Sequence, residues 1–160
     1  TEKALKLFEK HCVFSRVELK SRYLIRLERY IKDLEIEVKC LNNICMSYVI
    51  PAAVVYQKML AGAINETKAV LEGSAACSAE VEILKKVIDL IDKIYAANKE
   101  IRAQVETAEN IHDEQEKADM LCNKVKTAMN SLRDYVDELE VLVDDDIWPM
   151  PKFWEMLFIS

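Results

Sequence analysis

Apolar residues recur at steps of three and four along most of this chain, which places them on one face of a helix. The first series predicts a helix over about residues 16–72. Pro51 lies inside it and lacks an amide donor, so we expect a kink or break there. The series comprises Leu19, Tyr23, Leu27, Tyr30, Leu34, Val38, Leu41, Cys45, Tyr48, Val55, Met59 and Ile64.

Two further series predict helices over about residues 79–111 and 114–143. The first contains Leu84, Ile88, Ile91, Tyr95, Ile101, Val105 and Ala108. The second contains Ala118, Leu121, Val125, Ala128, Leu132, Tyr135, Leu139 and Leu142. Three long amphipathic helices with short connections favour antiparallel neighbours. The predicted fold is therefore all-α, a helical bundle or long hairpin.

Capping residues mark the ends of these helices. Ser15 and Glu18 form a capping-box pattern, and Asp113 with Glu116 forms a second. Gly73 is expected to stop the first long helix, and Ser78 to cap the next. The expected organisation is a short helix and entry segment over 1–14, a bundle over 15–146 and a tail over 147–160.

Composition narrows the function classes. Two glycines and three prolines in 160 residues are few for an all-β fold or for a phosphate-cradling loop. The net charge is −6, with basic and acidic residues interspersed, so we expect no nucleic-acid partner. We also find no apolar run of membrane-spanning length and expect no membrane partner. Five cysteines, an odd number, indicate buried reduced thiols in a cytoplasmic protein.

Candidate catalytic and metal-binding patterns are weak. Glu109 and His112 have the Glu-x-x-His spacing of di-iron bundles, but such a site needs a second motif, and His11 has no glutamate three residues before it. No Cys-x-x-Cys pair is present. We therefore expect no catalytic, cofactor-binding or metal-binding residue in this segment, and read it as an interaction or scaffold module.

The last residues, DDDIWPMPKFWEMLFIS, depart from the helical pattern. Prolines hold the backbone extended, and aromatic side chains contribute most to docking affinity. This segment is therefore predicted to dock into a groove, after an aspartate-rich hinge that stays in water. The proposed docking residues are Trp148, Pro149, Pro151, Phe153, Trp154, Leu157 and Phe158.

Four segments, in order, resemble type III glutamine synthetases. LFEKHCVF (7–14) is similar to a family segment with glycine in place of Cys12. ELKSRYLIRLERYIKDLEIE (18–37) and VIPAAVVYQ (49–57) resemble two further segments. LRDYVDELEVLVDDDIWPMPKFWEMLF (132–158) resembles the family's C-terminus, with its WP.P motif.

The resemblance implies the C-terminal helical region of a large cytoplasmic enzyme. The parent would join ammonia to glutamate through a glutamyl phosphate, using ATP and magnesium or manganese. Its metal and phosphate ligands would lie upstream, so this segment would brace the subunit. Its implied partners are the catalytic domain of the same chain and other subunits of a homo-oligomer, a dodecamer in this class.

Two alternatives remain open from the residues alone. The first is a free-standing cytosolic coiled-coil adaptor that binds a protein partner through its seam or tail. The second is a bundle metalloenzyme, which the shortage of histidine ligands disfavours.

Overall fold

The computed structural model describes residues 1–71 and 77–157, and these contain helices and no strand. Helix α1 spans Glu2–Lys10. Helix α2, Arg16–Ile44, continues through a π turn, Cys45–Val49, into α3, Ile50–Val70. Helix α4 spans Ser78–Glu109. Helix α5 spans Glu114–Met120 and continues through a second π turn, Leu121–Val125, into α6, which spans Lys126–Leu142. The last helix, α7, is short and spans Phe153–Met156.

Helix α4 forms the centre of the arrangement, with α3 and α6 packed along it. It runs antiparallel to α6, because Lys86 pairs with Glu138 while Lys93 lies over the ring of Tyr135, three residues earlier. The fully buried side chains from these helices form one continuous cluster. The predicted all-α fold with long helices is confirmed.

The expected caps are present at two of the helix starts. Ser15 and Glu18 form the two reciprocal hydrogen bonds of a capping box. The Ser15 amide donates to Glu18 Oε2 at 2.8 Å, and the Glu18 amide donates to Ser15 Oγ at 3.3 Å. Asp113 Oδ1 accepts from the Glu116 amide at 2.8 Å. Ser78 is the first residue of α4 rather than its cap, a position held by Cys77. Gly73 lies outside the described residues.

Pro51 does not break the long helix. Residues 16–70 form 55 consecutive helical residues, about 83 Å at 1.5 Å per residue. The chain accommodates the proline by the π turn before it, where the Ile50 amide donates to the Cys45 carbonyl five residues back. The widened turn includes Ser47, whose carbonyl the Pro51 ring would meet in a regular α-helix.

The π turn rotates the apolar face of the long helix by one residue. Before it, Leu34, Val38 and Cys45 are buried as the sequence spacing predicts. From the π turn onward, the predicted inward residues Tyr48, Val55 and Met59 are exposed, and Val49 and Ala53 are buried instead. Ile64, which follows Met59 by five residues rather than three or four, is buried as predicted. A π turn contains one residue more than an α turn, so the three-four spacing counted before the turn does not continue through it into α3.

One result departs from the expected lack of a membrane-length segment. The helix Arg16–Val70 contains an 18-residue window of mean hydropathy 1.4, of which 28% is buried, so its length and composition suffice to cross a membrane. Core helices of soluble proteins meet the same criterion. Most of this window is not buried in the structure, so the helix presents apolar surface to solvent.

Candidate docking surfaces

The first half of the tail is folded onto the bundle. After α6 the chain turns at Asp144, whose carbonyl accepts from the Trp148 amide at 2.9 Å and whose side chain accepts from the Asp146 amide at 2.9 Å. Trp148 is 6% exposed and belongs to the core cluster, and Ile147 and Met150 pack against that cluster. We call residues 143–152 the tail base. Its residues Val143 and Trp148 are part of the core, and its three aspartates are exposed.

Lys152 fixes the end of the tail base. Its side chain is 8% exposed, and its ammonium group lies 2.5 Å from the Val143 carbonyl and 2.5 Å from Asp145 Oδ1. The Phe153 amide donates to Glu140 Oε1 at 2.8 Å, and the Lys152 amide donates to Glu155 Oε2 at 2.9 Å. A charged group buried in this way is stable only when it is paired and hydrogen-bonded, as it is here. These bonds hold the start of α7 against the end of α6.

The remaining described residues of the tail project into solvent. We call residues 153–157 the tail tip. Phe153 is 64% exposed and Leu157 65% exposed, and Trp154 and Met156 are both more than half exposed. A contiguous exposed group of this size marks an interaction surface rather than ordinary scatter.

The structure therefore separates the seven predicted docking residues. Trp148 lies inside the molecule, and Pro149 and Pro151 lie at the surface of the tail base. Phe153, Trp154 and Leu157 lie together in the exposed tip. Phe158 lies outside the described residues. Sequence composition alone does not distinguish an aromatic residue that fills the chain's own core from one that faces outward.

A second apolar surface was missed by sequence reasoning. We call it the α3 face: a group of exposed side chains at the end of α2, along the π turn and in the first half of α3. Its members are Ile44, Met46, Tyr48, Val54, Val55 and Met59, each 38–54% exposed. The seam pattern predicted three of them as core, and the π turn moved them to the surface. A second signal was available, because between Asn42 and Asn65 the sequence contains one charged residue, Lys58, in a chain that is 31% charged.

Reactive chemistry is sparse in the described part of the chain. Burial raises the pKa of the Cys45 thiol to about 11, which keeps it protonated and unreactive at neutral pH. Cys77 is also buried, but Cys12, Cys40 and Cys122 are exposed, so the expectation of buried thiols holds for only two of the five. His112 is exposed in the turn between α4 and α5. Within residues 1–71 and 77–157, no three His, Cys, Asp or Glu side chains are placed to hold a metal ion.

Comparison with known proteins confirms the resemblance to glutamine synthetases. Residues 1–68 match the family model of the glutamine synthetase C-terminal domain. A type-3 glutamine synthetase of Dictyostelium discoideum is 31% identical over 99% of this chain and 22% of its own length. A glutamine synthetase of Butyrivibrio fibrisolvens is 29% identical over 99% of this chain and 22% of its own length. The relative from Bacteroides fragilis is 28% identical over 91% of this chain and 20% of its own length.

These relatives are much longer than this chain, which spans about a fifth of their length. The chain is thus similar to the C-terminal region of a glutamine synthetase, as the four sequence segments predicted.

Proposed function

We propose that this chain is the structural C-terminal region of a type III glutamine synthetase, without an active site of its own. In this proposal the parent enzyme is cytoplasmic and ligates ammonia to glutamate with ATP and magnesium or manganese. It assembles as a homo-oligomer, a dodecamer in its class. The helices brace the subunit by packing against the catalytic domain of the same polypeptide.

The observation that carries the proposal is the α3 face. Apolar helix surface left in water is unfavourable, at roughly 25 cal/mol for each Å² that a partner would bury. A nearly uncharged helix surface in an otherwise charged chain is therefore best accounted for by a permanent partner. The similarity to glutamine synthetases supplies one, because the matched relatives extend far beyond the aligned segment.

The described residues offer no fit for the parent's cofactors. They contain no cluster of metal-binding side chains, and the sequence has two glycines, too few for a phosphate-binding loop. In the proposal ATP and the divalent metal ions are held elsewhere in the parent enzyme. The similarity to glutamine synthetases favours this brace over the free-standing adaptor.

A charge placed on the α3 face of the full-length protein tests the bracing role. Val55→Glu should leave the helices folded, since Val55 is half-exposed, but weaken packing against the rest of the enzyme. We expect a lower melting temperature and loss of assembled enzyme on size-exclusion chromatography. Ile36→Glu is the matched control, because Ile36 is equally exposed on α2 and lies outside the α3 face.

Unchanged assembly and melting temperature in the Val55→Glu protein would refute a packing role for the α3 face. The division of labour is tested separately by assaying the 160-residue chain alone for glutamyl transfer. Measurable turnover by the chain alone would overturn the assignment of catalysis to other parts of the parent.

A further inference from the structure

A groove between α1 and the start of α2 presents aromatic side chains to solvent. It has a volume of about 510 Å³, within the usual range for sites that hold a ligand or side chain, and we call it the N-terminal groove. Phe8 and Phe14 stand with their ring centroids 5.9 Å apart, and Leu5, Leu19 and Tyr23 complete the apolar lining. The aromatic walls suit an aromatic side chain from a partner.

The charged residues lining the groove are basic. Lys20, Arg22 and Arg26 line it, and no acidic residue does. The Arg22 guanidinium lies 4.6 Å from the centre of the Phe14 ring, so cation and ring already form one surface. Such a surface favours a segment that combines aromatic rings with negative charge, since guanidinium groups attract both.

The tail tip has these properties. Phe153 and Trp154 are exposed aromatic residues, and the charged residue within the tip is Glu155. The three aspartates of the preceding turn are also exposed, and the basic residue between them and the tip, Lys152, is buried and paired with Asp145. The exposed part of the tail is therefore acidic and aromatic, and it complements the basic, aromatic groove.

The tail tip does not reach the groove of its own molecule. The Tyr23 hydroxyl, at the edge of the groove, donates to Gln115 at the start of α5. The Lys152 ammonium group donates to the Val143 carbonyl, which fixes the start of the tail tip at the end of α6. At a rise of 1.5 Å per residue, Val143 lies about 40 Å from Gln115 along α5 and α6. Residues 153–157 span at most about 18 Å when fully extended. A tail tip that occupies this groove therefore belongs to another copy.

We infer that the tail tip of one copy docks in the N-terminal groove of a second copy, with Trp154 between the aromatic walls and Glu155 facing Arg22 and Arg26. This inference rests on the proposed function, because it requires copies of the chain to assemble in a homo-oligomer. The contact joins two different surfaces, so it is head-to-tail and builds a closed ring when the rotation between copies permits.

Site-specific cross-linking in the full-length protein tests the contact. One copy carries a photo-reactive phenylalanine analogue in place of Trp154, together with Val13→Ile as a mass mark beside its own groove. Val13 is exposed and does not line the groove. This copy is co-expressed with an unmarked copy, the assembly is irradiated, and mass spectrometry identifies the peptides joined to position 154. The same analogue at Val141, exposed on α6 outside the tail, is the control.

The expected product joins position 154 to the unmarked groove peptide around Phe14, which comes from the other copy. The control at Val141 should not give this product. Cross-links that reach only the marked groove peptide would show the tip in its own groove and overturn the inference. No cross-link to any groove peptide would overturn it too, and a cross-link to the upstream part of the enzyme would do so while leaving the proposed function in place.

A charge reversal provides an independent measurement. Arg26→Glu in both copies should reduce the inter-copy product at least tenfold, because it turns an attraction for Glu155 into a repulsion. Arg29→Glu is the matched control, since Arg29 is exposed on the same helix and does not line the groove. Equal product from both variants would show that charge complementarity does not hold the tip, and the inference would fail.

Discussion

Cys12 adopts a backbone conformation that suits glycine. Its φ is +52°, in the left-handed region that costs an ordinary residue roughly 1 kcal/mol. The Cys12 amide donates to the Glu9 carbonyl at 3.1 Å and the Val13 amide to the Phe8 carbonyl at 3.0 Å, the two bonds of a Schellman motif closing α1. The glycine that the sequence resemblance implies at this position would adopt this conformation without strain.

Replacing Cys12 with glycine should therefore stabilise the chain by about 1 kcal/mol, because the strain is relieved and both hydrogen bonds remain. Urea unfolding monitored by circular dichroism measures the change. Cys40→Gly is the matched control: Cys40 is also an exposed cysteine, but it lies within α2, where glycine weakens a helix. A loss of stability in both variants would contradict the strain at Cys12.

Glu35 links two elements, α2 and α5. Its carboxylate is 11% exposed and lies 2.9 Å from Lys32 and 3.0 Å from the nearly buried Lys117 of α5. Burial by itself would raise the pKa of Glu35, but the hydrogen bonds from the two lysines outweigh it and hold the pKa below the usual 4.5. The ionised form is thus the one that stabilises the fold.

Glu35→Gln should destabilise the chain by roughly 1–3 kcal/mol at pH 7, since Lys117 loses its ionised partner. Because the folded pKa is lowered, this contribution is present above pH 4.5 and is lost as the pH falls through the folded value. The difference between wild type and variant should therefore shrink below pH 4.5 in unfolding titrations. Glu28→Gln, at an exposed position of α2, should show neither effect, and a pH-independent difference at Glu35 would contradict the ion pair.

The long helix α2–α3 and the helix α5–α6 show how well the spacing of apolar residues predicts which side chains are buried. Both contain a π turn, which no step of three or four reveals. In α5–α6 the predicted seam residues Leu132 and Leu139 are fully buried after the turn, and the last buried position is Val143 rather than the predicted Leu142. In the long helix, by contrast, Tyr48 in the π turn and Val55 in α3 are exposed against the prediction, so the α3 face could not be located from spacing.

The extra residue of the π turn predicts which deletions the long helix tolerates. Removing Ser47, which is exposed within the π turn, converts it to an α turn and keeps Ala53 and Ile64 inward. Pro51 must be replaced by alanine in the same protein, since a proline in the resulting regular helix costs about 3 kcal/mol. We expect this variant to melt within a few degrees of wild type.

Deleting Val55, which lies in regular α-helix, should instead rotate Ile64 out of the core and cost several kcal/mol, in the range of a lost buried side chain. Differential scanning calorimetry compares the two deletions directly. Equal loss of stability from both would show that the π turn is not a removable extra residue.

At the scale of the whole molecule, the two parts of the tail lie in different environments. The base, with Trp148 and Lys152, completes the chain's own core, whereas the tip lies outside it. Composition identified the whole segment as apolar and poorly helical, but which part the chain keeps for itself depends on the turn at Asp144 and on how α6 ends. Those are tertiary features, and the sequence pattern contains no direct signal for them.

Two truncations separate these roles. Ending the chain after Asp146 removes the tryptophan from the core and the lysine from its partners, and loss of a buried aromatic side chain typically costs 3–5 kcal/mol. For a domain of this size that corresponds to a melting temperature lower by roughly 10 °C. Ending it after Lys152 removes the tail tip and the two hydrogen bonds at the start of α7, but no buried side chain among the described residues, and should lower the melting temperature of the chain itself much less.

The same two truncations, made in the full-length protein, should behave differently in assembly. Loss of the tip alone should weaken contacts between copies while each subunit remains folded, which analytical ultracentrifugation measures as dissociation at higher protein concentration. If the shorter truncation lowered the melting temperature of the isolated chain as much as the longer one, the tip would be part of the core. Its exposed aromatic residues would then need an explanation other than docking.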